Sequence, residues 1–114
     1  MNKTILIFDD DTDTRETIKT ILEKNGYNVF TAVNCDACLK KIEKIKPDLV
    51  LIESFMSKKG ILECVGKMKN TKIAYLITDE DEKEDLDLYK NVIGFVKEPF
   101  NIDEFLKDIK RLIG

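Results

Sequence analysis

Apolar residues along the chain follow two alternating patterns. Ile5-Leu6-Ile7-Phe8, Leu49-Val50-Leu51-Ile52, Ile73-Ala74-Tyr75-Leu76-Ile77 and Val92-Ile93-Gly94-Phe95-Val96 are short, continuous apolar runs. Runs of that kind suit strands buried on both faces, as in a parallel sheet. A weaker run, Val29–Val33, reads as a more exposed strand. Between the runs the apolar spacing is helical. Ile18, Ile21 and Leu22 form one stripe, with Asp13 and Glu16 as a capping-box-like start and Gly26 as the stop. Cys38, Leu39, Ile42 and Ile45 form the next, ended by Pro47. Ile61, Leu62, Val65 and Met68 follow, then a short polar segment anchored by Leu86 and Tyr89. The last stripe is the clearest: Ile102, Phe105, Leu106, Ile109, Leu112 and Ile113, with Asn101 and Glu104 at its start. Five strand–helix units in this order predict an α/β fold, a doubly wound five-stranded parallel sheet with helices on both faces. No linker or repeat interrupts it, so residues 1–114 read as one domain.

Composition narrows the function classes. The balance of 19 basic and 22 acidic side chains gives a net charge of -3 with no basic block, so nucleic-acid binding has little electrostatic support. The apolar runs are too short to span a bilayer, and Met1-Asn2-Lys3 leads straight into a strand-like segment. A cytoplasmic protein without membrane contact is expected. Cys35-Asp36-Ala37-Cys38 spells a C-x-x-C, which raises redox and zinc readings. Zinc needs four ligands, whereas the chain has no histidine and only one further cysteine, Cys64. The preferred reading is of cysteines as small, half-buried helix residues.

In a doubly wound sheet, ligands bind beyond the carboxyl ends of the strands. Those ends carry Asp9-Asp10-Asp11, Glu53-Ser54, Thr78-Asp79 and Lys97-Glu98-Pro99-Phe100. Two like charges about 4 Å apart repel by roughly 4 kcal/mol at an effective dielectric near 20. Such a cluster calls for a cation or for raised pKa values. Oxygen-only ligands favour magnesium, and Asp9 and Asp10 are the candidate pair. Asp13 reads as a solvated helix start.

These stretches resemble the response-regulator receiver domains across essentially the whole chain. The resemblance rests on Ile5 to Asp11, Pro47 to Glu53, Met56 to Gly60, Thr78 and Pro99-Phe100, in that order and spacing. It implies magnesium at Asp9 and Asp10, and an acceptor position closing the third strand, where the family has an aspartate phosphorylated by a histidine kinase. It implies Thr78 as the hydroxyl that binds the phosphoryl oxygen, a lysine before the proline, and Phe95 as the aromatic residue that changes rotamer on activation. The implied partner is a histidine kinase, a phosphotransfer protein or an effector, with the domain a monomer or weak homodimer.

Four departures stand against that pattern. The acceptor position holds Glu53, one methylene longer than aspartate. Ungapped alignment on Pro99 places Glu98 at the lysine position and Lys97 one residue early; a one-residue insertion would restore Lys97, the preferred cation. Asp79 follows Thr78 where a small residue is usual, and Ser57 stands where proline follows the methionine. The run from Asp79 to Asp85 holds six acids in seven residues, a solvated helix start or an acidic lip for a partner. The expectation is a receiver that signals by protein contact and is not an enzyme, with phosphotransfer lost. A phosphorylatable receiver using Asp10 or Asp48 is the alternative. From another class, Asp9 and Asp11 with Thr78 and Lys97 faintly resemble a haloacid-dehalogenase-type phosphatase.

Overall fold

The computed structural model describes residues 2–53, 58–77, 90–98 and 101–114. Strands β1 (Thr4–Phe8), β2 (Asn28–Ala32), β3 (Leu49–Glu53), β4 (Ile73–Ile77) and β5 (Val92–Lys97) form one parallel sheet in the order β2-β1-β3-β4-β5. The described helices are α1 (Thr12–Lys24), α2 (Cys35–Ile45), α3 (Lys58–Gly66) and α4 (Ile102–Ile113). The expected helical segment around Leu86 and Tyr89, Thr78, the acidic run, Met56 with Ser57, and Pro99-Phe100 all lie outside the described residues.

The continuous apolar runs are explained by burial on both sides. Along β1, Ile5 and Ile7 face α1 and α4 together with Ile18, Leu22, Phe105 and Ile109, whereas Leu6 and Phe8 face α2 and α3 with Cys38, Ile61, Cys64 and Val65. β3 and β4 alternate in the same way, and every residue of both is buried. β5 corrects the sequence expectation. It is an edge strand, and of its six residues only Val96 is fully buried. Gly94 lies so close to α4 that a Cβ there would come within 2.9 Å of Leu112 Cδ2. β2, the other edge, is the more exposed strand that its weaker pattern predicted.

Local signals set the helix ends. Asp11, not Asp13, caps α1: its carboxylate accepts the Thr14 N–H at 2.9 Å and the Thr14 hydroxyl, while Asp13 sits exposed in the first turn. Gly26 follows α1 at φ 89°, in the left-handed region that glycine enters freely. Asn34 caps α2 and Asn101 caps α4, the latter as its pattern predicted. Ile102 is 51% exposed although it belongs to the expected apolar stripe, because the buried line of α4 runs through Phe105 and Ile109.

The cysteines also depart from expectation. Cys35 and Cys64 form a disulfide between α2 and α3, leaving Cys38 as the free, buried thiol among the described residues. The C-x-x-C does not close on itself: Cys38 lies under the sheet face with Leu6 and Phe8, while Cys35, at the first residue of α2, meets α3.

Candidate functional site

The sheet order reverses between β1 and β3, because the chain leaves β1 toward one edge and β3 toward the other. The crevice of a doubly wound sheet opens at that point. Phe8 pairs with Ile52, so the next residues, Asp9 and Glu53, emerge at the same level on adjacent strands. Both are buried, Asp9 at 0% and Glu53 at 3% exposure. Two acidic side chains at this depth, side by side at the topological switch, form the centre of the site. Asp10 and Asp11 are exposed at its rim, and Glu98 is half-buried.

Asp9 is held firmly on one side and left unsatisfied on the other. Its Oδ1 accepts the Asp11 N–H at 2.8 Å, but Oδ2, also buried, has no hydrogen-bond partner among the described residues. Burial pushes the carboxyl above its ordinary range, and the charges of Asp10, Asp11 and Glu98 push the same way; the Asp11 N–H opposes them. Asp11 moves in the opposite direction, held down by its hydrogen bonds to Thr14.

Arg15 is a contributor that the sequence reading passed over. Its Nη1 donates to the Asp9 carbonyl at 3.0 Å, fastening the β1–α1 turn from the first turns of the helix. An arginine four residues after the capping aspartate was the available signal. Tyr75 was read only as part of an apolar run. It is fully buried, lies between Ile52 and Phe95 in the register, and its ring stacks against Phe95 with centroids 6.0 Å apart. Phe95 is thus turned in against Tyr75.

At the end of β5, Lys97 is exposed and stands opposite Ile77 in the register. The Glu98 N–H continues the ladder to the Ile77 carbonyl at 2.9 Å, and the Glu98 charge reaches Asp9. Asp48 lies at the other end of the sheet. Its Oδ2 accepts the Thr4 N–H at 2.7 Å, and β3 separates it from Glu53 by roughly 16 Å of extended chain. It therefore takes no part in the site. Asp11, the second acid of the phosphatase-like pattern, is occupied as a helix cap.

The residues fit a magnesium ion. Among the described residues no three acidic or thiol side chains are gathered closely enough to hold a metal by themselves. Magnesium does not require that, since it keeps several waters and binds through one or two carboxylates. The buried Oδ2 of Asp9, without a partner among the described residues, is the atom such an ion would satisfy, with Asp10 beside it at the rim.

A family model for the response regulator receiver domain matches residues 5–110. The chain belongs to the response regulator receiver family. Among relatives of this receiver domain, sporulation initiation phosphotransferase F of Bacillus subtilis is 30% identical over 99% of this chain and 95% of its own length. The alkaline phosphatase synthesis transcriptional regulatory protein PhoP of the same organism is also 30% identical, over 99% of this chain and 49% of its own. The receiver chain thus spans about half the length of several curated relatives that it matches. Among solved structures, response regulator TrrA of Thermotoga maritima, in complex with magnesium and beryllium fluoride, superposes with a TM-score of 0.78. It is 32% identical, covering 96% of this chain and 98% of that one.

Proposed function

We propose that this receiver domain signals through protein contacts and that its phosphotransfer is lost. The observation that carries the reading is Glu53: a buried glutamate closes β3 at the topological switch, where the family places its phosphorylated aspartate. The extra methylene moves the carboxylate toward the space a phosphoryl group would enter and displaces the geometry that in-line transfer needs. Glu98 adds a second departure, because it brings negative charge toward Asp9 where the family's pattern has a lysine.

In this reading Asp9 and Asp10 hold magnesium, which supplies positive charge to a crowded acidic site. Asp9 presents the buried oxygen, Arg15 and the Asp11 N–H keep the turn that carries it in place, and Phe95 packs inward on Tyr75. Thr78 is the switch hydroxyl, as the resemblance implies. The partner is a histidine kinase, phosphotransfer protein or effector, met in the cytoplasm by a monomer or weak homodimer with no turnover of its own.

Intact-mass analysis after incubation with magnesium and a small acyl-phosphate donor tests the proposal, on the natural chain and on Glu53→Asp. An adduct on the Asp variant alone supports it. An adduct on the natural chain overturns it and revives the phosphorylatable reading. No adduct on either shows that Glu53 is not the sole lesion and directs the next substitution to Glu98→Lys.

A further inference from the structure

The cysteines form an arrangement that the acidic site does not use. Cys35 of α2 is bonded to Cys64 of α3, 29 residues further on, with Cα atoms 5.9 Å apart. That span lies in the ordinary range for a disulfide. The bridge ties the first residue of α2 to a helix that follows the acceptor strand, on one face of the sheet.

The two cysteines differ in access. Cys64 is 1% exposed, whereas Cys35 is half-buried. Cys35 also lines an open depression of about 210 Å³, mostly apolar, together with Phe8, Asp10, Val33, Asn34 and Ile61. A disulfide with an accessible sulfur is open to attack by an external thiolate, and exposed bridges are the labile ones. Cys38 does not interfere. It stands three residues after Cys35 but is fully buried, and burial pushes its thiol up to about 12. A thiol held protonated is neither a nucleophile nor an exchange partner.

We infer that Cys35 and Cys64 are a reversible redox pair, through which a thiol reductant of the glutathione type releases α3 from α2 beside Asp10. The reductant's thiolate bonds to Cys35 Sγ, and the Cys35–Cys64 bond breaks with its electron pair on Cys64, which takes a proton. A second reductant thiolate then attacks the reductant sulfur of the mixed disulfide, and the electron pair leaves on Cys35, which is protonated in turn. One protein disulfide becomes two thiols while two reductant thiols become one disulfide. Oxidation is the reverse, driven by the disulfide form of the same reagent. The inference is independent of whether Glu53 or any other acid accepts a phosphoryl group.

The test equilibrates the whole chain in glutathione buffers of rising reduced fraction, quenches in acid, alkylates under denaturing conditions and counts adducts by intact mass. One adduct, on Cys38, is expected at the oxidising end and three at the reducing end. Cys38→Ala should give none and two, with the midpoint unmoved. Amide exchange supplies the second readout: reduction should speed exchange in 58–66 by about tenfold or more and leave 102–113 within about twofold, as for a local opening. Three adducts throughout would mean that no bridge forms, and one adduct throughout that it is static; either overturns the inference. Exchange that is unchanged, or that rises equally everywhere, overturns the local release.

Discussion

Replacing Asp9 with asparagine should make the domain more stable at neutral pH while abolishing its response to magnesium. The carboxylate is wholly buried, one oxygen has no partner among the described residues, and the charges of Asp10, Asp11 and Glu98 that bear on it share its sign. A buried acceptor left unsatisfied costs roughly 1–3 kcal/mol, and more when it is charged. Asparagine removes the charge and retains an oxygen to accept the Asp11 N–H. The expected gain is therefore about 1–3 kcal/mol, which for an ordinary urea dependence near 2 kcal/mol/M moves the midpoint up by about 0.5–1.5 M.

The pH dependence carries the sign. A carboxyl whose folded pKa is raised keeps its proton longer in the folded state than in the unfolded one. Natural stability thus falls as pH climbs from the unfolded carboxyl value, about 4, through the raised folded value, and is level above it. The two proteins should match at acidic pH and diverge as pH rises. Urea melts at several pH values, in EDTA and then in excess magnesium, supply the assay. At magnesium concentrations 100 times its Kd the natural chain should gain about 2.7 kcal/mol and the variant nothing. A lower midpoint for Asp9→Asn in EDTA at neutral pH would refute the reasoning, since it would mean that the buried charge is satisfied.

Other substitutions separate the remaining forces. A Cys35→Ser, Cys64→Ser double variant, which removes a cross-link closing 29 residues, should lose about 3–4 kcal/mol by urea melts without reductant, and match the natural chain when both are reduced. Asn34→Ala leaves the Ala37 N–H at the start of α2 without its cap and should cost about 1 kcal/mol in the same melts. Lys46 ends α2 at φ 53°, so Lys46→Gly should stabilise by about 0.5–1 kcal/mol in thermal unfolding. Phe105→Ala, emptying a fully packed position of α4, should cost about 3–5 kcal/mol.

Much of this architecture was legible because burial on two faces leaves a direct trace in sequence. Ile5 to Phe8 and Leu49 to Ile52 are apolar without alternation because helices cover both sides of β1 and β3, and the strand-end acids then follow from connectivity alone. What sequence conceals is whatever depends on two elements meeting. Nothing in Cys35-x-x-Cys38 announces Cys64, since the pairing is made by α2 lying against α3 and not by spacing along one helix. The cap of α1 was misplaced for a related reason. Asp9, Asp10, Asp11 and Asp13 are equally good capping residues in a string, and only the backbone direction out of β1 selects Asp11 for the cap while turning Asp9 inward.

The end of β5 shows how a single residue decides the chemistry. Lys97 could regain the family's lysine position only if an extra residue were absorbed between it and Pro99. The strand does absorb an irregularity, but at its beginning: Ile73 pairs with Val92 and Ala74 with Gly94, so Ile93 is the residue passed over. From Gly94 onward the ladder is regular through Phe95, Val96 and Lys97, and the Glu98 N–H extends it. Side chains alternate along a regular strand. Phe95 packs with the α2–α3 face and Val96 with the α1–α4 face, and the same alternation, if continued, would carry Lys97 to Phe95's side and Glu98 to Val96's. The irregularity thus lies at the start of β5, four residues before Lys97. In the ungapped alignment the family's lysine position holds a glutamate whose charge bears on Asp9, which is why Glu98→Lys is the natural companion to Glu53→Asp in any attempt to restore phosphotransfer.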